Sequence, residues 1–481
     1  MKKLLVLCVA MILVLPTVSH AGSATSRWDL SIGGAVELDV SWASQSVNQD
    51  VTFAERSSGI TTSSRDKYSA TSWGAGQSRL NFLVHGPDTW GAKTSAFIEF
   101  DFRYASSNAV AANVRNSTED YGLAALTHAY TKWEWPKFSL LLGQTWDPIG
   151  FLPVYFLPGA HDLSAFNRGI RPIQATATWQ VTKTFSVSSG IMAPYDPYKW
   201  PAGTLASGST IDDGFQRSNW PFVFTELVYR TDVLGKVGPN MLQFGLGGVY
   251  GQDKPIAPAN FGPVGNISSQ DNGNTVSNTN IAGVQYWNPS GYDSSNVNAW
   301  MVTGKTFIPI IPEKAPGKLA GSLGMALTGF TGQDTRLFLD STDAIKGAYA
   351  YNRADSSGKG DVLIADYHAP VVTGGWGEVA FYFTDTVWAG FYYGQFQTNL
   401  SQFRRNQISA SAIDRAQQYI VNLVYDPNPT IRLGLQYSYY TAHWARNVSS
   451  FNPANPSSDT ASGLKNNGDL SVIRFAAIYY F

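Results

Sequence analysis

The chain has 481 residues, with 34 Lys or Arg against 35 Asp or Glu and a formal net charge of −1, a balance that argues against a nucleic-acid partner. Charged residues make up 14% where about 25% is usual, aromatics also reach 14%, and Ser, Thr, Asn, Gln and Gly supply the remaining polarity. Such a chain meets an apolar phase without being uniformly apolar, and beyond its first 21 residues no stretch of about 18 apolar residues exists, which excludes a helical membrane span.

The first 21 residues read as a cleaved secretory signal peptide. Lys2 and Lys3 precede an apolar run from Leu4 to Val18, broken only by Pro16 and Thr17, and Ser19-His20-Ala21 forms a small-x-small site. The one cysteine, Cys8, follows Leu7 in mid-run rather than a small residue, which speaks against lipidation and leaves residues 22–481 without a thiol. An exported chain of this kind uses neither disulfides nor a cysteine metal site. We expect residues 22–481 to form a single all-β domain. If it lies in a membrane it must be a closed barrel, because lipid offers strand backbones no other hydrogen-bond partner.

From Leu30 to Trp42 the chain alternates strictly. Leu30, Ile32, Val36, Leu38, Val40 and Trp42 share one face, and Ser31, Glu37, Asp39 and Ser41 the other. This run exceeds the five or six residues usual in soluble strands and matches the roughly nine to eleven of a tilted bilayer-crossing strand. A Ser/Thr/Asn-rich stretch follows at 43–77. The alternation resumes at Arg79 to His85 and, after the turn Gly86-Pro87-Asp88-Thr89-Trp90-Gly91, at Ala92 to Arg103, where Ile98, Phe100 and Phe102 oppose Lys93, Glu99, Asp101 and Arg103. Further strands are expected near 123–135, 138–147, 171–181, 184–193, 220–230, 241–251, 297–308, 318–330, 373–383, 387–397, 414–425, 430–442 and 469–481, about sixteen in all. Short turns such as Trp135-Pro136-Lys137 and Asp426-Pro427-Asn428-Pro429 alternate with long polar loops at 104–122, 148–170, 194–219, 252–296, 331–372, 398–413 and 443–468. That rhythm fits a transmembrane antiparallel barrel with short periplasmic turns and long extracellular loops. Aromatic residues at strand ends, among them Trp28, Trp42, Trp179, Trp220, Tyr229, Trp388 and Tyr425, fit interfacial girdles. The last strand sets Ile473, Phe475, Ala477, Tyr479 and Phe481 on one face. A terminal Phe after alternating apolar residues resembles the signal read by bacterial barrel-insertion machinery, with Phe475, Tyr479 and Phe481 as its candidate residues.

The chain resembles the bacterial outer-membrane trimeric porin superfamily and, within it, is most similar to the DcaP-like porins. The stretches that carry the resemblance are Ser78-Arg79-Leu80-Asn81-Phe82, Phe97-Ile98-Glu99-Phe100-Asp101-Phe102, Leu126-Thr127-His128-Ala129-Tyr130, Leu141-Leu142-Gly143-Gln144-Thr145-Trp146, Asn422-Leu423-Val424-Tyr425-Asp426-Pro427 and Arg432-Leu433-Gly434-Leu435-Gln436-Tyr437. Coverage is thin between about 190 and 400. The resemblance implies a homotrimer of sixteen-stranded barrels, each with its third outer loop folded into the lumen, in the outer membrane of a Gram-negative bacterium with its lipid and lipopolysaccharide. It implies a passive channel for small hydrophilic solutes and ions; the mixed charge of the inward-facing residues makes small organic anions the first guess, and neither a cofactor nor an enzymatic role is expected. Gln144 stands where many porins carry arginine, so substrate choice is not carried over.

A passive pore needs a wet lumen, a constriction and charges that replace part of a solute's hydration. Residues 148–170 are the candidate constricting loop. Pro148, Pro153 and Pro158 stiffen them, and Phe151, Tyr155 and Phe156 mix there with His161, Asp162, Asn167 and Arg168. The alternative places this loop at the rim or at a subunit contact. Candidate pore-lining residues are Arg79, Glu99, Asp101, Arg103, Asp162, Arg168, Arg432 and Arg474; alternation also turns Glu37, Asp39, Lys93, Glu226, Arg230, Lys305 and Glu378 inward. Two readings stand. Asp162 could face Arg79, Arg432 and Arg474 across a transverse field, or Arg79, Glu37 and Asp39 could neutralise one another as a structural ladder. No catalytic elbow, nucleotide motif or metal spacing is present, and Gln270-Asp271-Asn272-Gly273-Asn274 reads as a solvated turn in preference to a calcium loop. The rival functions are a sheath around a partner protein and a barrel enzyme. A plugged energised transporter needs about 22 strands, for which the chain is too short.

Overall fold

The computed structural model describes residues 28–45, 68–104, 123–150, 155, 157, 171–193, 220–253, 267–268, 275–276, 285–286, 297–335, 352–354, 362–364, 370–400, 413–445 and 466–481. Sixteen antiparallel strands close into one barrel. They are β1 (Asp29–Ala43), β2 (Ala70–Gly74 continued by Arg79–His85), β3 (Lys93–Tyr104), β4 (Leu123–Trp135), β5 (Phe138–Gln144), β6 (Ile173–Gln180), β7 (Phe185–Met192) and β8 (Phe222–Val237). The second half comprises β9 (Asn240–Asp253), β10 (Val297–Ile311), β11 (Leu323–Gln333), β12 (Val371–Tyr382), β13 (Val387–Asn399), β14 (Ile413–Asn428), β15 (Ile431–Trp444) and β16 (Asn467–Tyr480). Each strand pairs with its sequence neighbours, and β1 pairs with β16 from Ala35↔Tyr480 to Ala43↔Val472. Gly34 and Phe481 exchange both backbone hydrogen bonds, at 3.0 and 3.2 Å, and extend the closing seam by one residue. Closure leaves the barrel without a free edge, the condition for burying strands in lipid.

Burial along each strand is inverted relative to a soluble protein. In β1, Leu30, Ile32, Val36, Leu38 and Trp42 are exposed while Glu37, Asp39 and Ser41 are buried. In β14, Tyr419, Val421, Leu423 and Tyr425 are exposed while Gln418, Ile420, Asn422 and Val424 are buried. Exposing a Leu or Phe side chain to water costs about 1.5–3 kcal/mol, so an exterior built of such residues belongs in hydrocarbon. Short connections gather at one end of the barrel, at 86–92, 136–137, 181–184, 238–239, 312–322, 383–386 and 429–430. The opposite end carries the long loops.

Three features depart from the expected outline. Ala70–Gly74, read from sequence as loop, pairs with β1 from Asp39↔Gly74 to Ala43↔Ala70. The β8 strand runs past residue 230 to Val237, and residues 232–235 bulge out where Thr231↔Leu242 gives way to Lys236↔Met241. Short strand pairs also occur inside the long connections, at Ile267–Ser268 with Thr275–Val276, and at Gln285–Tyr286 and Asn352–Ala354 flanking Val362–Ile364.

Candidate functional site

The period-2 alternation that turns apolar residues to lipid turns every second residue into the barrel, so the inner wall follows from register alone. On β1 and β16 it brings Glu37, Asp39 and Arg474 together. Arg474 lies 2.9 Å from Glu37 Oε1 and 2.5 Å from Asp39 Oδ1, with all three side chains buried. On β8 and β10 Lys305 meets Glu226 at 2.7 Å, both again buried. On β2 and β3 Arg79 is directly opposite Asp101 and lies 4.0 Å from Glu99, and a third of its side chain remains exposed.

A β-bulge on β4 adds a feature that strict alternation does not foresee. His128 pairs with Glu99 and Leu126 with Phe100, so Thr127 is the extra residue and both Thr127 and His128 are buried. Thr127 Oγ1 donates to Glu99 Oε1 at 3.1 Å, and His128 Nδ1 lies 3.0 Å from Thr145 Oγ1 and Nε2 4.0 Å from Glu99. Glu134, further along the same strand, pairs with Lys132. Beside this cluster the guanidinium of Arg171 sits 3.9 Å over the ring of Trp146.

The inner wall has two characters. Along β6 and β7 it presents Gln174, Thr176, Thr178, Ser186 and Ser188, with Thr178 and Ser188 bonded at 2.9 Å. From β10 to β14 it is apolar and aromatic, with Phe307, Phe330, Trp376, Tyr392, Phe396 and Ile420 all buried. The rings of Trp376 and Tyr392 stack at 5.7 Å. Trp388, expected in a lipid-facing girdle, belongs to this wall. Val387 opens β13, so Trp388 points inward, only 3% exposed, against Tyr155, Tyr382 and Arg432.

Of the third connection, Pro148, Ile149, Gly150, Tyr155 and Leu157 are described, and the last four lie against the inner wall. Lys305 Nζ donates to Gly150 O at 2.9 Å, Tyr155 N donates to Glu378 Oε2 at 3.1 Å, Asn422 Nδ2 donates to Tyr155 O at 3.1 Å, and Arg474 donates to Leu157 O at 3.4 Å. Tyr155 and Leu157 are buried inside the barrel, and the strand residues they hydrogen-bond lie more than 200 residues further along the chain.

The predicted site residues therefore divide. Glu99, Asp101 and Arg474 are buried on the inner wall and Arg79 is half-buried there. Arg432 faces inward at the short-turn end, where its Nε and Nη2 bond Asp426 at 2.7 and 3.0 Å. Arg474 and Arg432 thus each have acidic partners of their own. Asp162, Arg168, the Arg103 side chain and residues 270–274 lie outside the described residues. Phe475, Tyr479 and Phe481 project outward and are exposed. The residues missed from sequence are Lys305, Glu378 and Asn422 as partners of the third connection; two of them appeared only as inward charges.

No family model and no curated protein matches the sequence. Among solved structures, the crystal structure of the outer membrane channel DcaP of Acinetobacter baumannii aligns over 96% of this chain and 99% of its own, with 14% identity and a TM-score of 0.58. The chain has the fold of an outer-membrane porin barrel. An anion-selective porin from Comamonas acidovorans aligns over 94% of this chain and 100% of its own at 10% identity and TM-score 0.46, and OprB of Pseudomonas putida over 95% and 94% at 10% and 0.46. The assignment of this porin fold rests on the first alignment and on the closed sixteen-stranded wall.

Proposed function

We propose that the chain is an outer-membrane porin, a passive channel through which small hydrophilic solutes and ions move down their gradients. The observation that carries this reading is the inverted wall, apolar outside and lined inside by Glu37, Asp39, Arg79, Glu99, Asp101, Glu226, Lys305, Glu378 and Arg474. Charges at that density inside a bilayer belong beside an aqueous path. Residues 1–21 are its export signal, Phe475, Tyr479 and Phe481 its assembly signal, and the functional unit is a homotrimer in lipid and lipopolysaccharide, acting without cofactor or catalysis. Residues 148–170 narrow the pore, and Arg79, Glu99, Asp101, Arg103, Asp162, Arg168, Arg432 and Arg474 set its charge preference. Small organic anions are the first solutes to try, because the inward-facing charges are of both signs.

The alternative is a barrel that sheathes a partner protein. Conductance of the purified protein in a planar bilayer, with reversal potential under a salt gradient, separates the two. Open steps in triplets support the porin, the sign of the reversal potential then decides between anion and cation preference, and silence from a folded, heat-modifiable barrel supports the sheath.

A further inference from the structure

Register carries three inward-facing residues of β2, β3 and β4 into one row, with Leu83 opposite Phe97 and Phe97 opposite Tyr130. The next row toward the short-turn end is His85, Ser95 and Lys132, and Glu134 follows Lys132 on the same face. An apolar row thus borders a polar one, about 7 Å away for two residues of strand. The aromatic residues from β10 to β14 are buried, whereas Leu83, Phe97 and Tyr130 are each only half-buried. The rings of Phe97 and Tyr130 lie 5.5 Å apart, and the neighbour of Tyr130 on β5 is Gly143, so no side chain closes that flank. In the polar row Lys132 Nζ and Glu134 Oε1 meet at 2.5 Å, with 34% and 49% of their side chains exposed. An ion pair this open to water is weak, and either partner exchanges the other for a solute's charge at little cost. Lys93 opposite Glu134 and Asp29 opposite His85 add one charge of each sign, so the four charges together sum to zero.

We propose that these two rows bind a zwitterionic solute with an apolar side chain, an aromatic amino acid being the type. Its carboxylate meets Lys132, its ammonium meets Glu134, and its ring lies on Phe97, Tyr130 and Leu83. The spacing of the rows matches the reach from the charged end of such a molecule to its ring, and a third ring beside Phe97 and Tyr130 extends an aromatic pair already formed. Discrimination works from both ends. A plain anion sets its charge beside Glu134 with nothing to offset it, and a zwitterion without a ring leaves the apolar row in water. Passage of such a solute deepens the channel reading and rests on it; binding to the folded barrel does not.

The test is calorimetric titration of the purified protein in detergent with L-phenylalanine, L-alanine and 3-phenylpropionate, with ion current in planar bilayers followed in parallel. L-Phenylalanine should bind, and the other two should bind at least about tenfold more weakly. Phe97→Ala should bring L-phenylalanine down to the level of L-alanine. Glu134→Gln, at an exposed position, should bring 3-phenylpropionate up to the level of L-phenylalanine. Heat-modifiability confirms that each variant is folded. Equal binding of the three solutes, or unchanged preferences in both folded variants, overturns the site, and tightest binding of 3-phenylpropionate to the unaltered protein replaces it with a site for plain anions. Selective binding by a protein silent in bilayers would support the site and discard the channel. Open steps that L-phenylalanine leaves unaltered, with no heat of binding, would discard the site and leave the channel standing.

Discussion

A guanidinium inside a barrel needs compensation, and Arg474 has it twice over, from Glu37 and Asp39, while also donating to Leu157 O. Breaking a buried pair from one side leaves the other charge uncompensated, at a cost of about 3–5 kcal/mol. Arg474→Leu should therefore lower the temperature at which the barrel loses its heat-modifiable form. The triple variant Glu37→Gln, Asp39→Asn, Arg474→Leu should recover most of the loss, and failure to recover would mean the arginine acts through packing alone. Alternation in the sequence already turned these three residues inward. It did not say who meets whom, because partner choice depends on β1 closing against β16. For the same reason Arg432 was grouped with Arg474 from sequence, whereas the β14–β15 hairpin gives it Asp426 six residues away. An inward glycine such as Gly434 can be counted from register, but the Leu157 side chain that lies over it comes from another part of the chain.

Strands were legible where alternation was long. The sequence places β1 at 30–42 and the structure at Asp29–Ala43, and it places β4 at 123–135 as found. Ala-Thr-Ser-Trp-Gly at 70–74 has too few apolar residues to alternate, and only pairing with β1 makes it a strand. The extension of β8 was hidden by Gly235, Gly238 and Pro239, which read as turn chemistry yet serve a bulge and then a tight hairpin. Turns have their own fastening. Asp385, between β12 and β13, accepts Ala320 N at 2.9 Å and faces Lys318 at 3.5 Å, linking two neighbouring short connections. The Ala320 hydrogen bond, aided by Lys318, holds the Asp385 carboxyl below its ordinary range. A lowered carboxyl pKa stabilises the fold above the unfolded value, about 3.9, and that contribution is lost as pH falls through the folded value. Exchange protection of the Ala320 amide, corrected for intrinsic rate, should hold from neutral pH down to about 4 and fall only below it. Asp385→Ala should abolish the protection at every pH. Protection that already fades at pH 6 would assign it to another group.

The molecule as a whole is asymmetric across its bore. One arc, β6 and β7, is hydroxyl-lined and built of eight-residue strands. The other is aromatic, built of longer strands, and has Tyr155 packed against it. If residues 148–170 occupy the bore, deleting 151–168 should raise single-channel conductance, and an unchanged value would put them outside the path. In the sequence the prolines at 148, 153 and 158 mark a stiff, non-strand connection, but where Tyr155 and Leu157 meet the wall depends on glycines and polar residues contributed by distant strands.

The seam between β1 and β16 also sets a schedule. Pairing Ala35 with Tyr480 closes a loop of nearly the whole chain, an entropic cost of about 5 kcal/mol by the logarithmic rule. Every other pairing in the wall is a hairpin or a neighbour contact and is reached sooner. Until that last zipper forms, two strands with unsatisfied amides and an outward row of Leu, Ile and Trp lie open at once, a template for joining another molecule's edge. The same feature that makes the finished wall inert therefore makes the half-built one adhesive.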